Sequence, residues 1–308
     1  MQARVWGCRG SLAAPGAETV RYGGNTSCVE VKLASGRTLV LDAGTGIRAL
    51  GASMDVGETD ELHIFLTHLH MDHLQGLGFF RPLFRPDLRV HIWGPASPVQ
   101  GLAERIAIYL SPPLFPVRLA DIPAQVTFHD ASDEPITIGS ATVRAASVTH
   151  QGPTVGYRIE EGGRSLVYLP DHEPSLGVEL ADQPNGWISG YDLAHEADVL
   201  LHDAQYGDHE YPNHVGWGHS AFEHVMRFAE KAEVGKVVLF HHDPYHTDDE
   251  LEQLLLETHE RWDTTNERVC LAYEAMTIVL DDDGVRVSSD AARSSSPVGS
   301  PEQDSGPI

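Results

Sequence analysis

The chain has 308 residues, of which 41% are hydrophobic and 21% charged, enough apolar material for one large layered domain or two small ones. Its 45 acidic residues against 21 basic ones give a formal charge of -24, which argues against a long nucleic acid as the main partner because phosphate backbones are neutralised by Lys and Arg. Cys8, Cys28 and Cys270 are too few and too scattered for a disulfide framework or a cysteine-type zinc knuckle, and no stretch has the pattern of a signal peptide or a membrane span, so a soluble cytoplasmic protein is expected.

Residues 3–7 and 28–33 read as strands on either side of a polar, glycine-rich excursion. Within it, Tyr22-Gly23-Gly24-Asn25-Thr26-Ser27 allows close backbone approach to a ligand, which makes Asn25 and Thr26 candidate substrate contacts; an ordinary hairpin loop is the competing reading. A short strand over 37–41 ends in Asp42, either a turn-former, the preferred reading, or an acceptor for a ligating histidine. The apolar run 62–66 reads as a buried strand, and Thr67-His68-Leu69-His70-Met71-Asp72-His73 follows it directly. Neutral imidazoles with one carboxylate at this spacing are what Zn²⁺ or a similar ion requires, and strand ends are where α/β proteins build their sites. A short helix is expected over 74–80, with Phe79 and Phe80 assigned to the core.

The next elements are a strand over 89–93, a helix over about 98–110, and the proline-rich Ser111–Pro116, which is either a rigid surface connection or the wall of a pocket. Strands follow over 126–128, 135–138, 142–148, 154–159 and 165–168. Two of them end in ligand types, His150 and Asp171. Residues 172–197, with Trp187 isolated among them, read as a long loop or lid. A strand over 198–201 ends in His202-Asp203, and Ser220 with Glu223 forms a capping box opening a helix to about 232. That places His219 just before a helix amino terminus, whose partial positive charge suits a phosphate. The strand 237–240 ends in His241-His242, a second capping box, Thr247 with Glu250, opens a helix through about 262, and strands over 269–273 and 276–280 complete the pattern. Residues 1–287 are read as one domain and the Ser/Pro/Gly-rich 288–308 as a disordered tail.

Strand ends therefore offer His68, His70, Asp72, His73, His150, Asp171 and one of His241 or His242. This set suits two divalent ions: His68, His70 and His150 on the first, Asp72, His73 and His241 on the second, and Asp171 between them. His241 is preferred because it lies directly at the strand's end. Zn²⁺ is the first choice of ion, with Mn²⁺ and Fe²⁺ also suited.

The His-x-His-x-Asp-His run at 68–73 resembles the mark of the metallo-β-lactamase superfamily, and the likeness extends over nearly all of residues 1–280. Tyr168-Leu169-Pro170-Asp171, Leu201-His202-Asp203-Ala204, Gly218-His219-Ser220-Ala221 and Leu239-Phe240-His241 look most like the ribonuclease Z and cyclic-phosphodiesterase branch. The resemblance implies an α/β fold, an αββα four-layer sandwich with two mixed central sheets and outer helices. It also implies that Asp171 bridges the metals, that Asp203 is the acidic residue and His219 the catalytic histidine. Ribonuclease Z carries a long tRNA-gripping arm between its third ligand segment and the bridging aspartate, whereas only two short strands fit between His150 and Asp171 here.

The expectation is a small phosphodiester substrate, such as a cyclic nucleotide, attacked by a hydroxide held between the ions and oriented by Asp72. His219, supported by Asp203, would stabilise the developing charge or protonate the leaving oxygen. Tyr206, Trp217 and Tyr245 lie near predicted strand ends where they can stack on a base, Trp217 being the candidate substrate contact, with packing the preferred reading for each. No membrane partner is expected, and a homodimer is compatible with the sequence. The competing readings are a lactone or thioester hydrolase and a catalytically silent metal-binding protein.

Overall fold

Alternation along the strands decides the architecture. The computed structural model describes residues 1–54 and 60–289. The first half contains β1 (Gln2–Gly7), β2 (Cys28–Lys32), β3 (Thr38–Leu41), α1 (Gly46–Ser53), β4 (Glu61–Phe65), α2 (Met71–Leu74), β5 (Arg89–Pro95), α3 (Leu102–Tyr109) and β6 (Gln125–Ala131). Next come β7 (Ile136–Ile138), β8 (Ala141–Ser147), β9 (Val155–Glu161), β10 (Arg164–Leu169), α4 (Tyr191–Ala194) and β11 (Val199–Asp203). The chain continues through α5 (Phe222–Lys231), β12 (Lys236–Phe240), α6 (Asp248–Trp262), β13 (Val269–Leu271), β14 (Met276–Asp281) and β15 (Gly284–Ser289). Two mixed sheets result: an eight-stranded one in the order β15-β14-β1-β2-β3-β4-β5-β6, and a seven-stranded one in the order β13-β12-β11-β10-β9-β8-β7.

Because neighbouring side chains on a strand point to opposite faces, each strand feeds two cores. Leu39, Leu41 and Phe65 meet Leu166, Tyr168, Leu201, Val238 and Phe240 between the sheets. Val40, Leu62 and Ile64 turn outward against Ile47 and Leu50 of α1 and Leu102 and Ile106 of α3. On the far side Val167, Leu200, Val237 and Leu239 pack on α4, α5 and α6. Three buried layers separated by two sheets make the αββα sandwich. In each sheet the segments β3-β4-β5 and β10-β11-β12 run parallel, so their carboxyl ends collect at one edge.

Several local expectations change. The helix after the histidine run begins inside it, at Met71, and stops at Leu74 before a separate turn over Leu77–Phe79. Phe80 is fully buried but Phe79 is 59% exposed, so only one of the pair joins the core. The capping box at Thr247 and Glu250 forms, with the Glu250 amide donating to the Thr247 hydroxyl and the Thr247 amide to the Glu250 carboxylate. The one expected at Ser220 does not: α5 starts from Ala221, the Ser220 hydroxyl donates to the His172 carbonyl, and Asp208 receives the Glu223 amide instead. Residues 172–197 are no simple lid, since Leu180, Ile188, Tyr191 and Leu193 are buried in the outer core. Ser288 and Ser289 pair with Thr277 and Met276, which extends the last strand past 287; residues 290–308 of the expected tail lie outside the described residues. Among the described residues no helix is long and apolar enough to cross a membrane.

Phe65 sits at the centre of the middle layer, with its ring centroid 5.2 Å from Tyr157 and 5.8 Å from Trp93. Phe65→Ala should lower the urea unfolding free energy by about 3–5 kcal/mol, whereas the exposed Trp187→Ala should change it by about 0.5 kcal/mol or less.

Candidate metal centre

The turn after β4 and the ends of β8, β10 and β12 bring His68, His70 and His150 into one cluster and Asp72, His73, Asp171 and His241 into a second. Asp171 touches both. Its Oδ1 lies 3.9 Å from His68 Nε2 and 3.6 Å from His150 Nε2, and it stands 3.3 Å from His241 Nε2, while Oδ2 is 2.9 Å from His73 Nε2. Asp72 Oδ2 is 3.1 Å from His73 Nε2 and 3.2 Å from His241 Nε2. The helical turn at Met71 lets the adjacent Asp72 and His73 face the same cluster. His241 belongs to it and His242 does not: the His242 Nε2–H donates to the Ala272 carbonyl at 2.8 Å, and burial pushes that imidazole down to about 3.

The outward nitrogens reveal the protonation pattern. His73 Nδ1 lies 2.8 Å from the Asp42 carboxylate, His150 Nδ1 2.8 Å from the Gly218 carbonyl, and His241 Nδ1 3.2 Å from the Gln205 carboxamide oxygen. Carboxylate and carbonyl oxygens only accept, so these Nδ1 atoms carry protons and each Nε2 turns inward; on His73 burial opposes charge, but Asp171, Asp72 and Asp42 outweigh it and hold the imidazole pKa well above its ordinary value. His68 follows the same rule through Thr67, whose hydroxyl donates to Asp42 at 2.9 Å and receives from His68 Nδ1 at 3.1 Å. The His68 Nε2 is buried without a hydrogen-bond partner. Converging Nε2 atoms beside ionised carboxylates are a donor set fit for divalent metal, whose binding displaces any proton they carry. Burial opposes charge on Asp171, but His241, His73 and His68 outweigh it and hold this carboxyl well below the usual range.

Asp42 is both things the sequence left open. It turns the chain with φ of 57° and accepts from the Thr67 amide and hydroxyl as well as from His73. His219 lies beside the second cluster, its Nδ1 2.7 Å from Asp203. Asp203 is itself fixed by amides of His172, Gln205 and Ser220 at 3.1, 3.0 and 3.3 Å. Burial draws the His219 pKa down, but Asp203, Asp171 and Asp72 together raise it to about 9. Ser11, His70, Met71, Asp72, Asp171, His219 and His241 line a hollow of about 310 Å³.

The expected substrate contacts fare differently. The Asn25 carboxamide donates to Glu274 at 3.1 Å, and the buried Thr26 hydroxyl accepts from the Thr45 amide at 2.8 Å. Both brace the entry loops, and the polar groups expected to meet substrate are spent inside the fold. Trp217 is exposed with its ring against His214, Tyr206 is buried and stacked on that same histidine, and Tyr245 stands in solvent.

Residues with no obvious sequence signal complete the site. Fully buried Glu173 accepts from the Tyr211 hydroxyl at 2.7 Å and from the Gly216 and Gly218 amides at 2.8 and 2.7 Å, fixing the loop that carries the acceptor of His150. Gln205 is oriented by donation to Asp243 at 3.1 Å. Buried Arg9 donates to the carbonyls of Gly23, Asp243 and His246 at 2.9, 3.0 and 2.8 Å, tying the amino-terminal loop to the segment after β12. The only hint was position: Glu173 and Gln205 each lie two residues beyond an aspartate at a strand's end.

A family model described as a beta-lactamase superfamily domain matches residues 37–242, which span every residue of the two clusters. The chain belongs to this superfamily. A ribonuclease Z of Mycobacterium avium is 27% identical over 281 residues, covering 84% of this chain and 90% of its own. The metallo-beta-lactamase fold protein YhfI from Bacillus subtilis superposes with a TM-score of 0.65 at 18% identity, covering 90% of this chain and 97% of that one. A diphosphatase from the PhnP family gives 0.63 at 20% identity, covering 91% and 98%. At these identities the two structures establish the shared superfamily fold.

Replacing Asp42 by Ala removes the acceptor that orients His73, and metal affinity, read by competition with a chromophoric chelator, should fall about 10–100-fold. A second expectation concerns pH. Burial pushes His202 down to about 4, so the unfolded chain, with histidine near about 6.5, takes up that proton first as pH falls. The stability supplied by neutral His202 is complete above about pH 6.5 and is lost on falling toward 4; urea midpoints should show this slope, flattened in His202→Gln.

Proposed function

We propose that the protein is a dinuclear metal-dependent phosphodiesterase acting on a small diester such as a cyclic nucleotide. His68, His70 and His150 would hold one ion, Asp72, His73 and His241 the other, with Asp171 shared between them. Zn²⁺ suits the imidazole-rich set best, and Mn²⁺ or Fe²⁺ would also be accepted. When bound, such a pair supplies positive charge to phosphoryl oxygens and lowers the pKa of a water toward about 7.

The observation that carries the reading is the His219–Asp203 pair on the wall of the ligand-lined hollow. With Nδ1 committed to Asp203, the Nε2 of His219 is left to face a substrate, and the adjacent Asp203 carboxylate favours the protonated ring. That proton can be delivered to the leaving oxygen while the fixed Asp203 carboxylate supports the cationic ring. Asp72, held by the Ser11 amide at 2.8 Å, is positioned to orient the attacking water.

The charge of -24 and the two short strands β9 and β10 between His150 and Asp171 favour a small substrate over a gripped RNA. A second reading, RNA cleavage, is favoured by the name of the mycobacterial relative. Metal-loaded protein should hydrolyse 2′,3′- or 3′,5′-cyclic mononucleotides, chelation should abolish turnover, and His219→Ala should lower kcat by about 100-fold or more. Cleavage of structured RNA without turnover of any cyclic nucleotide would transfer the assignment to RNA, and inactivity on both would direct attention to lactones and thioesters.

A further inference from the structure

Beside the reaction hollow lies a larger one of about 470 Å³, bounded by the first cluster on one side and by α3 and the proline-rich loop on the other. The two hollows share His70 and Met71, so a molecule with its phosphoryl group at the ligands can extend into the larger space. Its volume is in the range of small-molecule sites. The walls include Leu74, Ile108, Tyr109 and Leu114. Ile108 and Leu114 are 60% and 67% exposed and Met71 48%, an apolar surface left facing water next to the chemistry.

Two further features of the walls select the shape of the occupant. Arg105 lines the space with one guanidinium nitrogen donating to the Pro95 carbonyl, while its Nε is buried with no hydrogen-bond partner. The Tyr109 ring is fixed in place by donation of its hydroxyl to the Gln75 carbonyl at 2.6 Å. A thioether, a guanidinium and a fixed phenol ring all favour a flat π-system over an aliphatic chain. Gln100 and Gln151 on the same lining offer amide groups to the edge of such a ring.

We infer that the substrate carries an aromatic or heteroaromatic group on the phosphorus side that does not leave, and that Met71, Arg105, Ile108, Tyr109 and Leu114 form its binding site. This rests on the phosphodiesterase reading, since it places the phosphoryl group at the ligands. The proline-rich loop thereby becomes a specificity wall, and the larger hollow decides which diesters are turned over fast.

The test measures binding by calorimetry on metal-loaded protein, with phenylphosphonate and methylphosphonate as probes. Wild type should bind the phenyl compound about tenfold or more tightly. Ile108→Asp and Leu114→Asp, both at exposed positions, should bring the two affinities close together, while the distant exposed Val178→Asp should retain the preference. Thermal midpoints of all three variants near that of wild type establish that they fold. Equal affinities in wild type, a preference that survives both hollow variants, or failure of both probes to bind overturns the inference. Because binding needs no turnover, a protein that prefers phenylphosphonate yet hydrolyses no diester would sink the phosphodiesterase reading alone.

Discussion

An imidazole that turns Nε2 toward a metal must place its Nδ1 proton on an acceptor elsewhere, and that requirement organises the edge where the two sheets end. Asp42 at the end of β3 serves His73 and, through Thr67, His68; the Gly218 carbonyl serves His150; Gln205 after β11 serves His241. Asp42, Gly218 and Gln205 each come from a different part of the chain from the ring they serve, and Thr67 links its neighbour His68 to Asp42, so the cluster assembles only when both sheets and their loops are in place. The fold is a device for bringing ligand and acceptor from distant positions to the same few ångströms.

The energetic cost of this arrangement is local charge crowding. Asp72 and Asp171 lie among five imidazoles in a nearly dry environment, where charge is stabilised only by direct partners. The surrounding structure answers with cross-ties of its own. Arg9 joins three backbone carbonyls of two loops, and the Ser11 amide reaches Asp72. Such ties hold the rim still while the centre carries charges that would otherwise repel or hydrate.

The sequence was most informative where one rule governed several positions. Short apolar runs ending in His or Asp marked the strands, and those ends supplied the residues that converge in the two clusters, while the four-layer arrangement was legible only through the resemblance to the superfamily. Asp42 could not be resolved from the sequence because a positive-φ turn and a histidine acceptor look identical in a string of letters; in the fold it is both. Asn25 and Thr26 misled because polar loop residues can face inward to Glu274 and Thr45 as readily as outward to a ligand. Ser220 misled in another way, since its hydroxyl found the His172 carbonyl before the helix could use it. Glu173 was invisible because its role is wholly tertiary, three donors from a loop some forty residues on.

That last carboxylate has a wider meaning. Gly218 is held in a left-handed conformation, and a side chain there would collide with His150 Nδ1, so the backbone itself is pressed against the ligand. The very next residue is His219. One anchored bracket thus carries both the acceptor of the His150 ring and the His219 side chain, and the two cannot drift independently. Under the proposed function, a change along this stretch would alter metal binding and proton delivery together.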